Sequence, residues 1–301
     1  MYRKSMLFAF LLLFYIMFSH VFLLQAGKAE LIQLRIWTDK EEYLAREPII
    51  VHYEVENTSD TLIKMNFFEL GFLFNIKDQD GRSYNPQSSA SYGFAYPDSL
   101  KPGESYKSSV NIVDRYLISS PGEYACFLKN PKGSKRNRYM SPEAKSNIIK
   151  IKVREPKGIE KEALDMFLEA ENLKWARDKD GRKDLKKREL GFLKYQELVS
   201  KYPNSIYAPL ALQAAIGVYF YSKDLNERRK IIPLCMELIE EYLDFYDFVG
   251  TFTDLVHTYE ILKDREGAIK TMQELIKKHP NTKISEKAEY WSEKIEKWEF
   301  K

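Results

Sequence analysis

The sequence predicts a multidomain β + α protein, a strand-rich sandwich followed by an array of paired helices. Three observations carry this reading. From Leu31 to Val153 apolar residues recur with a period of two, interrupted by turns rich in Pro, Gly, Asn and Asp. Beyond Pro156-Lys157-Gly158 the period becomes helical. One word, YQELVSKYPNS at 195–205, returns as MQELIKKHPNT at 272–282, which marks an internal repeat.

The first 29 residues belong to neither half. Met1-Tyr2-Arg3-Lys4 is a basic start, and residues 6–24 are apolar apart from Ser19 and His20. Small residues follow at Ala26, Gly27 and Ala29. This is the pattern of an export signal, with cleavage near Ala26 or Ala29. The apolar run is also nearly long enough to span a bilayer, so an uncleaved anchor over 6–24 stays open, with Arg3 and Lys4 on the cytoplasmic side. No cysteine stands at the cleavage region for a lipid anchor. The expected address is therefore exported, periplasmic or otherwise extracytoplasmic. Arg3, Lys4 and Lys28 are the only charged residues of this segment and account for the whole formal excess of +3. The remainder is charge-balanced, which gives no electrostatic reason to expect nucleic acid. The expected domains are 1–29, 30–156 and 157–301.

The sandwich elements follow in order. Leu34 and Ile36 share a face, and Val51, Tyr53 and Val55 alternate with Ile50, His52 and Glu54 before a turn at Asn57-Thr58-Ser59-Asp60. Phe72, Phe74 and Ile76 alternate before the turn at Asp78-Gln79-Asp80-Gly81. After a turn over 100–105, Val110 and Ile112 read as one strand. Pro121-Gly122 then leads into Tyr124–Leu128, and Ile149, Ile151 and Val153 close the series. Residues 121–126 resemble the tyrosine-corner strand of immunoglobulin-like domains, with Tyr124 two residues before Cys126. The partner cysteine of antibody domains is missing from 49–55, so the resemblance implies the immunoglobulin-like sandwich without its disulfide. The opening, residues 38–59, resembles secreted sandwich domains of the intracellular proteinase inhibitor and macroglobulin type. Tyr92, Phe94 and Tyr96 alternate along a Ser/Gly/Ala-rich stretch, and Lys135, Arg136 and Arg138 belong to the basic run 129–138. As a surface these six would contact a glycan, a lipid headgroup or a protease; as bland structure they are an edge strand and an exposed hairpin loop.

The helical half reads as helices over 160–177 and 185–201, one capped by Ser205 and running to Tyr221, one kinked by or beginning near Pro233, a pair within 252–281, and a charged last helix over 285–298. The aspartates of 178–184 hint at calcium, but Lys183 occupies the place where an EF-hand needs glycine, so a solvated turn is expected. Phe252, Leu255, Val256 and Tyr259 fall at i, i+3, i+4 and i+7, and Ala268, Met272, Leu275 and Pro280 form the facing set. Gly191, Tyr195, Leu198 and Pro203 repeat the second set, and Cys235 and Leu238 sit in a third copy without the proline. These residues resemble the tetratricopeptide repeat, whose period is about 34 residues; the copies here are spaced by 40 and 37. The resemblance implies a groove that binds a protein segment, and it places Thr253, His257 and Glu260 on the polar stripe facing that groove.

No phosphate loop, His-Glu-x-x-His, Gly-x-Ser-x-Gly or paired-cysteine motif occurs, and no catalytic residue, metal or cofactor is expected. Cys126 and Cys235 lie in apolar patterns that suit buried thiols, although an oxidising compartment would also permit a bridge between them. The leading expectation is an exported, non-catalytic adaptor or scaffold that binds a protein or peptide of the cell envelope through the repeat groove, in envelope assembly or maintenance. Its membrane contact would be limited to an uncleaved N-terminal anchor. The competing expectation is a protease inhibitor or glycan-binding sandwich for which the helices are a spacer.

Overall fold

The computed structural model describes residues 31–64, 74–86, 97, 99–116, 118, 120–129, 145–178, 180–181 and 184–298. Two compact units divide between Arg154 and Glu155: a β region followed by a helical array. Residues 1–29, read above as an export signal, and Phe72 lie outside the described residues.

The β unit runs through β1 (Ile32–Thr38), β2 (Glu42–Leu44), β3 (Ile50–Asn57), β4 (Ile63–Lys64), β5 (Phe74–Asp78), β6 (Ser83–Tyr84), β7 (Ser99–Leu100) and β8 (Ser105–Asn111). A short helix α1 (Ile112–Tyr116) precedes β9 (Gly122–Leu128) and β10 (Ile149–Arg154). One sheet has the order β1-β3-β8, another β2-β10-β9-β5-β6, and β4 pairs with β7. Pairing is antiparallel except between β10 and β2. The period of two decides which side chains go inside. Val51, Tyr53 and Val55 are buried while their neighbours stay partly exposed, and β1 alternates in the same way. Across the sheets, Tyr53 meets Phe74 edge-on with ring centroids 6.3 Å apart, a favoured aromatic geometry.

Two polar side chains hold the ends of this core. Asn57 is fully buried. Its amide donates to the carbonyls of Thr61 and Leu100, and its oxygen accepts from the backbone N–H and hydroxyl of Ser59. The turn read at 57–60 is thus closed by a satisfied buried amide. The Tyr124 hydroxyl donates to the Ser120 carbonyl at 2.8 Å, the bond that defines a tyrosine corner, and burial pushes that hydroxyl up to about 12. One strand ends earlier than the alternation suggests. Val110 lies in β8, but Ile112 opens α1, because the Asn111 side chain accepts from the Val113 N–H at 3.1 Å and turns the chain.

In the helical unit, seven helices of 11 to 17 residues and one of five occupy the described residues: α2 (Ile159–Lys174), α3 (Leu185–Lys201), α4 (Tyr207–Tyr219), α5 (Leu225–Arg229), α6 (Ile231–Glu241), α7 (Phe248–Leu262), α8 (Arg265–Lys278) and α9 (Lys283–Ile295). Asp184, Asp224 and Asp264 cap α3, α5 and α8 with their carboxylates, and Thr282 with Ser285 forms a capping box on α9. That box starts α9 two residues before Ser285. α2 stops at Lys174, short of Arg177, and Trp175 is 63% exposed instead of filling the core. α4 starts at Tyr207, since Ser205 uses its hydroxyl to accept from the Tyr207 N–H and to donate to Glu160 at 2.6 Å. Pro233 falls in the first turn of α6, where a missing N–H costs nothing.

The second helices of the three pairs, α3, α6 and α8, bury matching sets. These are Gly191, Tyr195 and Leu198; Ile231, Cys235 and Leu238; and Ala268, Met272 and Leu275. All three helices end on a residue of nearly the same backbone geometry, Tyr202 (φ −130°, ψ 55°), Tyr242 (−126°, 60°) and His279 (−126°, 55°). The middle pair reaches that geometry with Leu243 where the others have proline, so proline is not what ends the helix. Both cysteines are free and buried, and burial pushes the Cys126 thiol up to about 12.

Gly191 marks a tight helix approach. A β-carbon there would stand 2.9 Å from the Ala170 carbonyl oxygen and 3.0 Å from the Lys174 amide nitrogen, and backbone atoms cannot rotate away. Gly191→Ala should therefore lose stability despite the roughly 1 kcal/mol that alanine gains in a helix, because overpacking costs about 1–3 kcal/mol. A lower urea midpoint checks this; an unchanged or higher one would show that α2 and α3 separate freely.

Candidate functional site

The first helices of the pairs, α2, α4 and α7, bury one face and leave another open. On α7 the buried face is Phe252, Leu255, Val256 and Tyr259, together with Thr251, Thr258 and Leu262. The two threonines are silent in the core because each donates its hydroxyl to a carbonyl one turn back, Asp247 and Asp254. Thr253, His257 and Glu260 are exposed. Thr253 donates to the Val249 carbonyl at 3.0 Å, and His257 Nδ1 lies 3.1 Å from Glu260 Oε2. The three form a continuous strip along α7.

The strip continues onto α4. The His257 ring lies 5.7 Å from the Phe220 ring, which follows the end of α4. At the other end of the seam, Gln213 on α4 donates to Asp247 Oδ2 at 2.7 Å and accepts from the Tyr246 hydroxyl at 3.1 Å. Between these contacts lies Asp254. Burial pushes its carboxyl up to about 6; the nearby Asp247 adds to that, and His257 opposes it. Cys235 lies close enough to sense the same charge, and its thiol is driven well above the usual range, chiefly by burial. The seam can accept cations and hydrogen-bond donors and offers two aromatic surfaces. Among the described residues, no group of three or more His, Cys, Asp or Glu side chains is arranged to hold a metal, and no helix is long and apolar enough to cross a membrane.

Sequence reasoning missed Asp254, Gln213 and Phe220. Asp254 sits three residues before His257, at the edge of the polar stripe, so a count of exposed positions passes over it. Gln213 and Phe220 lie on another helix, and their spacing carries no sign of which helix they face. The sandwich candidates Tyr92, Phe94, Tyr96, Lys135, Arg136 and Arg138 lie outside the described residues.

Asp254 makes stability depend on pH with a definite sign. Its folded pKa of about 6 exceeds the unfolded value, which lies near 3.9. The folded state holds the extra proton between about pH 4 and pH 6, so this group favours folding more as pH falls through that window. Asp254→Asn should raise stability at pH 7 by about 1–2 kcal/mol and remove that part of the profile. Melting curves of both proteins from pH 4 to 7 check it; parallel profiles would show that the carboxylate is not shielded.

A family model described as a tetratricopeptide repeat matches residues 259–282, which run from the end of α7 through α8. No curated protein matches the chain. Among solved structures, the chain is similar to the CARDB domain of a Pyrococcus furiosus protein, at 10% identity over 41% of this chain and 94% of that one, with a TM-score of 0.24. It is similar to the yjhA protein of Bacillus subtilis at 16% identity, over 42% of this chain and 94% of that one, with a TM-score of 0.25. A putative lipoprotein of Bacillus subtilis, ycdA, matches at 11% identity over 77% of this chain and 82% of that one, with a TM-score of 0.24. The C-terminal region is thus tetratricopeptide-like, a repeat type that generally binds protein partners.

Proposed function

We propose that this protein is an exported, non-catalytic adaptor that captures a protein segment of the cell envelope on the open face of α4 and α7. The observation that carries the reading is the repeat itself. Three helix pairs bury equivalent residues, the last pair overlaps the tetratricopeptide match, and α7 keeps a polar strip exposed beside the half-buried Phe220. Stacked pairs of this kind present extended binding surfaces by construction. Thr253, His257 and Glu260 contribute the outer side of that surface, and the sandwich positions the array or meets a second partner. Export rests on the basic-apolar-small pattern of residues 1–29.

His257 and Glu260 form an exposed pair, with side chains 46% and 53% accessible. Such pairs contribute little to folding, so His257→Ala with Glu260→Ala should leave the melting temperature unchanged. In cells, the double variant should lose most of the cross-linking of its partner to residues 205–262. Undiminished cross-linking would overturn the groove. Export is checked separately: a reporter active only outside the cytoplasm, fused to the C-terminus of the full chain, should be active. An inactive reporter on a stable, correctly sized fusion would overturn the address.

A further inference from the structure

The open seam between α4 and α7 has an uncompensated charge at its centre. Asp254 lies seven residues after Asp247 and three before His257, the two α7-side residues that touch Gln213 and Phe220. On the α4 side, Gly217 lies four residues after Gln213 and three before Phe220. Gly217 is exposed, and a β-carbon there would meet a single atom within 4 Å, Lys174 Nζ at 3.8 Å. No α7 atom comes that close. The seam is therefore bridged at both ends, while no α7 atom fills the space beside Gly217 at its middle.

The charges around that opening are unequal. The α4 segment YAPLALQAAIGVY has no charged residue, and the α7 segment FVGTFTDLVHTYEIL has no Lys or Arg. Asp247 already accepts from Gln213. Among the described residues, no hydrogen bond and no ion pair reaches the Asp254 carboxylate. Among the described residues none of the neighbouring cations pairs with Asp254, although Arg228 Nη1 is buried without a hydrogen-bond partner. Lys174 pairs with Glu171 at 3.4 Å and lies over the Trp175 and Tyr195 rings. Arg228 donates to the Ser222 carbonyl and lies over Phe220. The Phe220 and His257 rings wall one end, a setting that suits an aliphatic stem with a cationic head.

We infer that the partner segment enters this seam with a lysine or arginine side chain that pairs with Asp254. This inference rests on the groove reading above and narrows it to one chemistry. A shielded carboxylate without a partner is a standing penalty, and a charge-assisted hydrogen bond from the incoming cation removes it. Selectivity follows: an acidic or apolar side chain at that place leaves Asp254 unpaired and is disfavoured, and a neutral donor gains less than a cation.

The test uses the full chain and a phage-displayed library of random dodecapeptides, selected in parallel on the wild type and on Asp254→Asn. Peptides selected by the wild type should share a Lys or Arg at one position. Replacing that residue by norleucine should weaken binding about 10-fold or more. Asp254→Asn should lose the same factor, and the two losses should not add. Peptides that need His257 and Glu260 but show no basic preference, or that bind Asp254→Asn unchanged, would overturn the basic anchor while leaving the groove intact. Peptides indifferent to His257→Ala with Glu260→Ala, or no selected peptide at all, would overturn both.

Discussion

A pair of amphipathic helices cannot bury its apolar stripe alone, and the helical unit depends on that constraint. Each pair must lie on the next. The fully buried Leu198, Leu238 and Leu275 are the recurring anchors of this stacking, each worth about 1.5–3 kcal/mol of removed apolar surface. The joints repeat as well. The Tyr242 hydroxyl reaches back to the Pro203 carbonyl at 2.9 Å, and Lys278 reaches back to Glu240 at 2.6 Å. Both links fall near the ends of second helices, and those three ends share one backbone geometry. In the first pair the same position turns inward, and Tyr202 donates to Glu162 on α2.

Stacking through one face has a consequence for the other. The stripes that hold α4 and α7 against the second helices use up most of their apolar residues, and apart from the exposed Val249 the remaining faces include Gln213, Gly217 and Phe220 on one side and Thr253, His257 and Glu260 on the other. Asp254 lies at the border between the two regimes. It is shielded enough to feel desolvation, yet it takes no part in the packing that shields it. A core residue would pair or be replaced by an apolar one; a surface residue would keep an ordinary pKa. Asp254 does neither, which is how perturbed groups at binding sites commonly behave.

The β unit solves its own problem differently. A two-sheet core leaves backbone groups unpaired at turns and edges, and among the described residues several of these are met by specific polar side chains. Asn57 satisfies the β3 turn and Tyr124 the start of β9. Asn147 clips both the N–H and the carbonyl of Ile36 on the β1 edge, at 2.9 and 2.8 Å. Cys126 then needs no partner sulfur, because it is a small core residue beneath these bonds.

Periodicity settled most of what is local. Alternation from Leu31 to Val153 and helical spacing after Gly158 state which face of each element is apolar, and that is enough for β followed by α. Similar words at 195–205 and 272–282 place the repeats, since equal packing needs equal residues. The tyrosine corner is legible too, because its partner lies four residues away. Non-local pairings were not legible. Nothing in the spacing of Val110 and Ile112 shows that Asn111 will turn the chain between them, and nothing in Trp175 shows that it will stay outside. The seam is the clearest case. Gln213 and Phe220 meet Asp247 and His257, 34 and 37 residues later, and only the tertiary fold brings them together. Burial, and with it the shifted charge of Asp254, is a property of that packing and has no counterpart in the linear chain.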